Sequence, residues 1–478
     1  MKNNIILALF TSCISVVTIA QQPGITLSSS NKELEKRFNW AKQMALSYNG
    51  KPSDPVGPWY ESALPPRSAF CMRDVAHQSI GGEILSLSAQ NKNMFTLFAK
   101  NISESKDWCS YWEMNASGGP APEDYRNDKE FWYNLNANFD ILSASWRMYL
   151  WTGDKTYIND PTFLNFHQKS VDDYIERWIL QVDSLLTRPG YVNVPQPFNI
   201  RDAFHRARGL PSYSEGVPDL RIGVDLIAAI SSGLESYASI LQLQKKGAQA
   251  KKYESKAKAY REHIDRYWWD DAASQYNTHL TNDGKYGKGE GETFLLWFDA
   301  LTDTVRTRKT IEHLTSKNWN VENLSYFPYL LYKYGYSGKA REYIFHLTDS
   351  AKKRREYPEV SFGVIEGFVQ GMMGVDADAR YSRISTVYNG DEEEIVAIRD
   401  VPVLSTLINL EHSKNKSTIE NKGQTDFTWR VKFNGRHPAL SVNGKRVKAK
   451  FEKDRLGRTI SYADVKIKSG STAIAFVK

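Results

Sequence analysis

The chain has 478 residues, a formal charge of +7 and 24% charged side chains, with basic and acidic residues interspersed. That pattern excludes a nucleic-acid-binding stripe, and the length allows two or three domains with at least one large core. Aromatic content is high, at 13% with 13 Trp, more than core filling alone calls for.

At the N-terminus, Lys2 precedes a mostly apolar run over 5–19, and Thr18 and Ala20 are small residues at the two positions a signal peptidase reads. The run is short for a membrane span, so 1–20 reads as a cleaved signal peptide and predicts a periplasmic or extracellular protein. Cys13 raises a lipid-anchor alternative, but Phe10-Thr11-Ser12 is a poor lead-in and the apolar run continues past it. No later stretch reads as a transmembrane helix, and a soluble mature protein is expected. Cys71 and Cys109 are left either to pair in an oxidising compartment or to sit as two buried thiols. No zinc-spaced His/Cys cluster, calcium loop or phosphate-cradling glycine motif occurs, so no metal or cofactor is predicted, and Gly287-Lys288-Gly289-Glu290-Gly291 reads as a turn.

From 31 to 375 the apolar spacing is helical. Helices are predicted over 31–48, 75–88, 92–103, 131–151, 166–185, 220–243, 248–268, 292–300, 304–316, 337–349 and 361–373. Trp151-Thr152-Gly153-Asp154 and Tyr334-Gly335-Tyr336-Ser337-Gly338 each stop one helix and start the next, as in stacked antiparallel hairpins. Without a fixed repeat near 34 residues, a tetratricopeptide array is excluded and a helical toroid is the expected body. Loops over 50–70, 107–130 and 187–219 are longer than connections need to be and rich in Pro, Gly and aromatics, a composition that favours function over mere linkage.

After Gly374 the pattern changes to short alternating or β-branched runs over 383–389, 395–399, 403–410, 427–433, 439–442, 446–451, 459–467 and 472–477. Asn-Gly pairs at 389–390, 434–435 and 443–444 read as hairpin turns. The expected organisation is a signal peptide over 1–20, a mainly α domain over 21–378 and a small C-terminal antiparallel β-sandwich over 379–478.

Two loops each deliver a glutamate just ahead of a helix. Glu215 lies in Pro211-Ser212-Tyr213-Ser214-Glu215-Gly216-Val217-Pro218-Asp219, where Tyr213 and two prolines can desolvate a carboxyl and keep it protonated. Asp219 better suits a helix N-terminus, and Asp202 is the reserve acid. Glu359 lies in Arg355-Glu356-Tyr357-Pro358-Glu359-Val360-Ser361-Phe362-Gly363, with Glu356 as its competitor. A pair of carboxyls supplied in this way is what acid/base cleavage of a glycosidic bond requires.

Hairpins, long aromatic loops and a terminal β region together resemble the six-hairpin, (α/α)6-barrel glycosidases, whose relatives include glucoamylases, α-L-rhamnosidases and trehalases. The resemblance runs over roughly 30–410. Phe70-Cys71-Met72-Arg73-Asp74 resembles the Arg-Asp pair that holds hydroxyls of the sugar at the cleaved bond, a planar donor beside an acceptor. By the same resemblance Glu215 is the general acid and Glu359 the water-activating carboxylate of an inverting hydrolase, with no cofactor. Trp132, Tyr133 and Asn138, together with Trp112 and Trp108, are expected to support substrate, alongside Tyr213 and Arg206.

Arg201, His205, Arg206 and Arg208 crowd the loop of Glu215, which ranks acidic glycans such as uronates slightly above neutral ones. Long loops favour exo-action. A uronate lyase using His205, Tyr213 and Arg206, or a non-catalytic glycan binder, are the alternatives from other classes.

Overall fold

The computed structural model describes residues 24–63 and 67–477, so the signal segment and Cys13 lie outside it. Its body is built from helices α1 (Lys32–Ser47), α2 (Met72–Ile84), α3 (Ser88–Lys100), α4 (Ala137–Thr152), α5 (Pro161–Val171) and α6 (Val224–Leu243). These are followed by α7 (Gly247–Tyr267), α8 (Glu292–Trp297), α9 (Thr304–Thr315), α10 (Val321–Lys333), α11 (Ser337–Leu347) and α12 (Pro358–Glu366). Local chemistry sets many of the starts. Asn31, Asp160, Asp303 and Asn320 each accept a backbone N–H in the first turn of α1, α5, α9 and α10, and Pro161 sits where its missing donor costs nothing.

Odd- and even-numbered helices differ in burial. In α9 the buried residues are Thr307, Thr310, Ile311 and Leu314, one stripe at helical spacing. In α2 every residue but Asp74 is buried, and α8 is buried throughout. The even helices pack on one another in sequence, α2 on α4, α4 on α6, α6 on α8, α8 on α10 and α10 on α12, and α12 returns to α2. Glycines permit the closest of these approaches. A Cβ on Gly81 would stand 2.7 Å from the Phe362 carbonyl oxygen, and one on Gly363 would stand 2.3 Å from that of Ser325.

Among the described residues one helix, Val224–Leu243, is long and apolar enough to cross a membrane, and 83% of its apolar window is buried inside the fold. Its hydrophobicity is that of a core helix.

Several predicted boundaries move. The 131–151 helix starts only at Ala137, because Glu130–Phe131 and Tyr133–Asn134 are short strands. The 166–185 helix starts earlier, at Pro161, and breaks at Asp172, whose backbone leaves the helical region at φ −117, ψ −82. Leu220–Gly223 pairs as a strand before α6 begins. Helix α10 is absent from the sequence-derived elements because Pro328 stands in its middle.

The C-terminal region forms two sheets. In the larger, Thr26–Ser29 from the N-terminus is the edge strand beside Val396–Val403, followed by Thr406–Ser413, Lys416–Asn421, Thr472–Phe476, Ala439–Val442 and Lys445–Lys448. The smaller runs Asp376–Asp378, Arg383–Val387, Phe427–Asn434, Thr459–Ile467, Lys450–Lys453. The purely antiparallel expectation is corrected at one pair. Arg383–Val387 and Phe427–Asn434 run parallel, which the long excursion through the other sheet between them makes possible. Of the three Asn-Gly pairs only Asn443-Gly444, both with positive φ, closes a hairpin; the other two lead the chain out of a strand toward the other sheet. Cys71 and Cys109 are buried free thiols, so the disulfide alternative is set aside.

The two ends of the helical body are unlike. The long loops over 50–70, 107–130 and 187–219 lead into the N-termini of α2, α4 and α6. At the opposite end a cavity of about 960 Å³ lies between the C-terminal turns of the same helices and the smaller sheet. It is crossed by the ion pairs of Asp299 with Lys333 and Arg455, each at 2.8 Å.

Candidate active site

Arg73 is the centre of the loop-side end. It sits in the first turn of α2 with its side chain only 8% exposed, lying over the ring of Tyr213 at 4.3 Å and that of Trp112 at 5.3 Å. Its Nε and Nη1 have no hydrogen-bond partner among the described residues, although Asp74 Oδ1 is 3.8 Å from Nε and Glu215 Oε1 3.7 Å from Nη1. Unpaired donors on a buried guanidinium cost free energy, which the two nearby carboxylates offset.

The loop carrying Glu215 is pinned from below by Asp225, at the start of α6. This buried carboxylate accepts hydrogen bonds from Ser212 Oγ at 2.7 Å, the Tyr213 amide at 2.6 Å and Asn136 Nδ2 at 2.8 Å. Ser214 Oγ ties the loop to the Glu290 carbonyl at 2.9 Å, so the glycine-rich turn is a wall of the site. Glu215 projects from this frame with its side chain 45% exposed, and the surrounding residues leave its carboxyl poorly solvated. That desolvation pushes its carboxyl up to about 7; Arg73 pulls it down, while Glu322 and Asp74 push it further up.

The other carboxyls crowd the same place. Burial, then Glu322, raises Asp74 against the opposing pull of Arg73. Glu359, at the start of α12, is raised well above its ordinary value, by burial first and by Asp74 and Glu322. Burial and Glu322 also raise Glu290. Glu322 itself, at the start of α10, accepts a hydrogen bond from the Tyr213 hydroxyl at 2.6 Å. Reading the sequence missed Glu322 because it missed α10; the available signal was Asn320, a capping residue two positions ahead of it.

The remaining expected residues divide. Tyr213 and Asp74 stand with Arg73, and Trp132 is half-buried against Trp112, ring centres 4.3 Å apart. Tyr133 and Asn138, by contrast, are core residues. The Tyr133 hydroxyl donates to Asn138 Oδ1 at 2.5 Å, and Asn138 Nδ2 donates to the Trp108 carbonyl at 3.0 Å, joining α4 to the preceding loop. Trp108 stacks under Lys169 at 4.3 Å. Arg206 is exposed and donates to the Ile200 carbonyl, whereas Arg208 is buried and neutralised by Asp107.

Asp202 caps a short helix, Ala203–Arg206, and pairs with Arg126 at 3.1 Å, which leaves it a structural part. His205, Glu130 and Asp202 approach one another, but Arg126 already bonds both carboxylates. The backbone carbonyl of Glu356 accepts from the Tyr48 hydroxyl, and the residue is exposed. Asp219 has φ 54 in a turn and accepts from Asn282 Nδ2 at 2.6 Å; Asp225 takes the helix-start position expected of it.

No protein-family model and no curated protein sequence matches the chain. Solved structures do. An α-L-rhamnosidase from Dictyoglumus thermophilum is similar with TM-score 0.58 and 12% identity over 95% of this chain and 50% of that one. A GH78 family rhamnosidase of Bacillus sp. GL1 follows with TM-score 0.57 and 11% identity over 83% and 41%. A putative kojibiose phosphorylase from human microbiome gives 0.54 and 9% over 94% and 68%. The chain thus spans half or less of the length of the two rhamnosidases. At these identities the likeness is one of fold, shared with these rhamnosidases and this phosphorylase.

Proposed function

We propose that the protein is an exported glycoside hydrolase whose even helices line the interior of an (α/α)6 toroid, with Glu215 as general acid. The observation that carries this reading is the position of the Glu215 carboxyl, 3.7 Å from the buried Arg73 guanidinium, with desolvation pushing it up to about 7. An acid that must protonate a leaving oxygen near neutrality needs that property. A second carboxylate activates water on the opposite face of the sugar, so the anomeric configuration inverts, and the gap this needs is about 6.5 to 9.5 Å. Long loops closing one end favour exo-action, and the apolar run over 5–19 supports export to the periplasm or beyond. Half-buried Trp132 supplies an apolar face for a pyranose, while Arg73 and Asp74 take its hydroxyls.

The charge of the site narrows the substrate. Asp74, Glu215, Glu290 and Glu322 stand about a single guanidinium, and Arg208, one source of the uronate expectation, is neutralised elsewhere. Asp74 and Glu215, 3.8 and 3.7 Å from Arg73, already counter that guanidinium and leave it less able to hold an anionic sugar or a phosphate, so a neutral glycan and water are the favoured reactants. The lyase reading loses support because His205 is engaged with Glu130 and Arg206 with a backbone carbonyl.

The test is Glu215→Gln on paired substrates. An alkyl glycoside, which needs its leaving oxygen protonated, should lose about 10²- to 10⁴-fold in kcat, and a 4-nitrophenyl glycoside far less. Equal activity of variant and parent on the alkyl glycoside would overturn the assignment.

A further inference from the structure

We infer that the water-activating carboxylate is Glu322, at the N-terminal turn of α10, in place of Glu359. The inference deepens the proposed function and rests on it. Tyr213 links the two halves of the chemistry. Its loop carries Glu215 two residues on, its ring lies under Arg73, and its hydroxyl donates at 2.6 Å to Glu322 Oε2. Glu215 lies 3.7 Å from Arg73 and Glu322 accepts from Tyr213, so both carboxyls are tied to one stacked guanidinium and phenol. A base must be ionised and aimed, and the hydrogen bond from the Tyr213 phenol fixes the carboxyl oxygen that accepts it.

Glu359 meets neither demand. It lines a small pocket of about 10 Å³ with His77, Gln78 and Tyr326, room for about one water and none for a sugar. Burial and the neighbouring Asp74 and Glu322 carboxylates favour its neutral form, which suits a hydrogen-bond donor and not a base.

In the step so assigned, Glu322 takes a proton from water as the water oxygen bonds the anomeric carbon. The bond from that carbon to the leaving oxygen breaks, its electron pair passes to that oxygen, and Glu215 supplies the proton. The net change is addition of one water, and the two carboxyls regain their protonation states through solvent.

Hydrolysis of paired alkyl and 4-nitrophenyl glycosides of neutral sugars by the full chain separates the roles. Glu322→Gln should lower kcat by about 10²- to 10⁴-fold on both substrates alike, because activating water does not depend on the leaving group. Glu322→Gly with added sodium azide should recover turnover of the nitrophenyl glycoside and give a glycosyl azide of inverted configuration. Azide should give no such rescue in Glu359→Gly. Azide rescue of Glu359→Gly, with Glu322→Gln near the parent, would overturn the assignment while leaving the hydrolase reading intact. Loss in Glu322→Gln on both substrates with no azide rescue of Glu322→Gly would also overturn it, marking Glu322 as a positioning residue behind Tyr213. An alkyl-glycoside activity untouched by Glu215→Gln would instead remove the reading beneath it.

Discussion

Glu215 and Glu113 show how the same physical effect yields different consequences at two carboxyls. In the cleft, a carboxyl raised to about 7 must be protonated to act, so kcat/KM for an alkyl glycoside should fall as pH rises through 7. A flat profile from pH 6 to 9 would contradict that. Glu113 is 1% exposed, linked to Asp124 and Arg67, and burial raises its carboxyl from 4.5 to about 9. Between those values the folded protein binds more protons than the unfolded chain, so unfolding free energy falls as pH rises across this window. Glu113→Gln should flatten that slope, giving a change in Tm relative to the parent that is more favourable at pH 9 than at pH 5 by thermal denaturation. Equal changes at both pH values would show that the group ionises without penalty.

At the scale of elements, the close packing of the even helices depends on glycine. Gly81→Ala would drive a methyl group against the Phe362 carbonyl between α2 and α12, and should cost about 1 to 3 kcal/mol in chemical denaturation. Gly216→Ala, which meets nothing within 4 Å, is the matched control and should be near neutral. A neutral Gly81→Ala would mean that the helices separate freely.

The same scale explains what the sequence made legible. Amphipathic stripes such as that of α9 and stops such as Gly153 and Gly335, both with positive φ, announce themselves through local periodicity and turn chemistry. Helix α10 did not, because Pro328 breaks the local rule and tertiary packing overrides it, and Glu322 was lost with the helix. Arg73, Asp74 and Glu215 could be found from the loops that present them. Tyr133 and Asn138 carry the same polar-aromatic pattern but face the core, a distinction that only the path of the chain decides. Asp225 was hidden for the opposite reason: its three hydrogen bonds come from segments distant in sequence as well as near.

For the whole molecule, the β region is fastened to the helices by contacts from both chain ends. The Trp151 indole donates to the Pro402 carbonyl at 3.0 Å, the Leu404 amide returns to the Trp151 carbonyl at 2.8 Å, and Thr26–Ser29 adds the edge of the larger sheet. A chain ending at 378 would strand that first segment and uncover Trp151 and Val375, both buried. It should therefore fail to give a cooperative unfolding transition by circular dichroism. A truncated chain that melts sharply near the parent Tm would show that the helical body stands alone.

The central claim is water-mediated cleavage with inversion driven from Glu215. It is tested most directly by following the product of a neutral glycoside by proton NMR before mutarotation. The account predicts that the first product is the reducing sugar of opposite anomeric configuration, formed with the intact protein and lost on the alkyl glycoside with Glu215→Gln. A product of retained configuration, an unsaturated sugar, or no product from any neutral glycoside would contradict it.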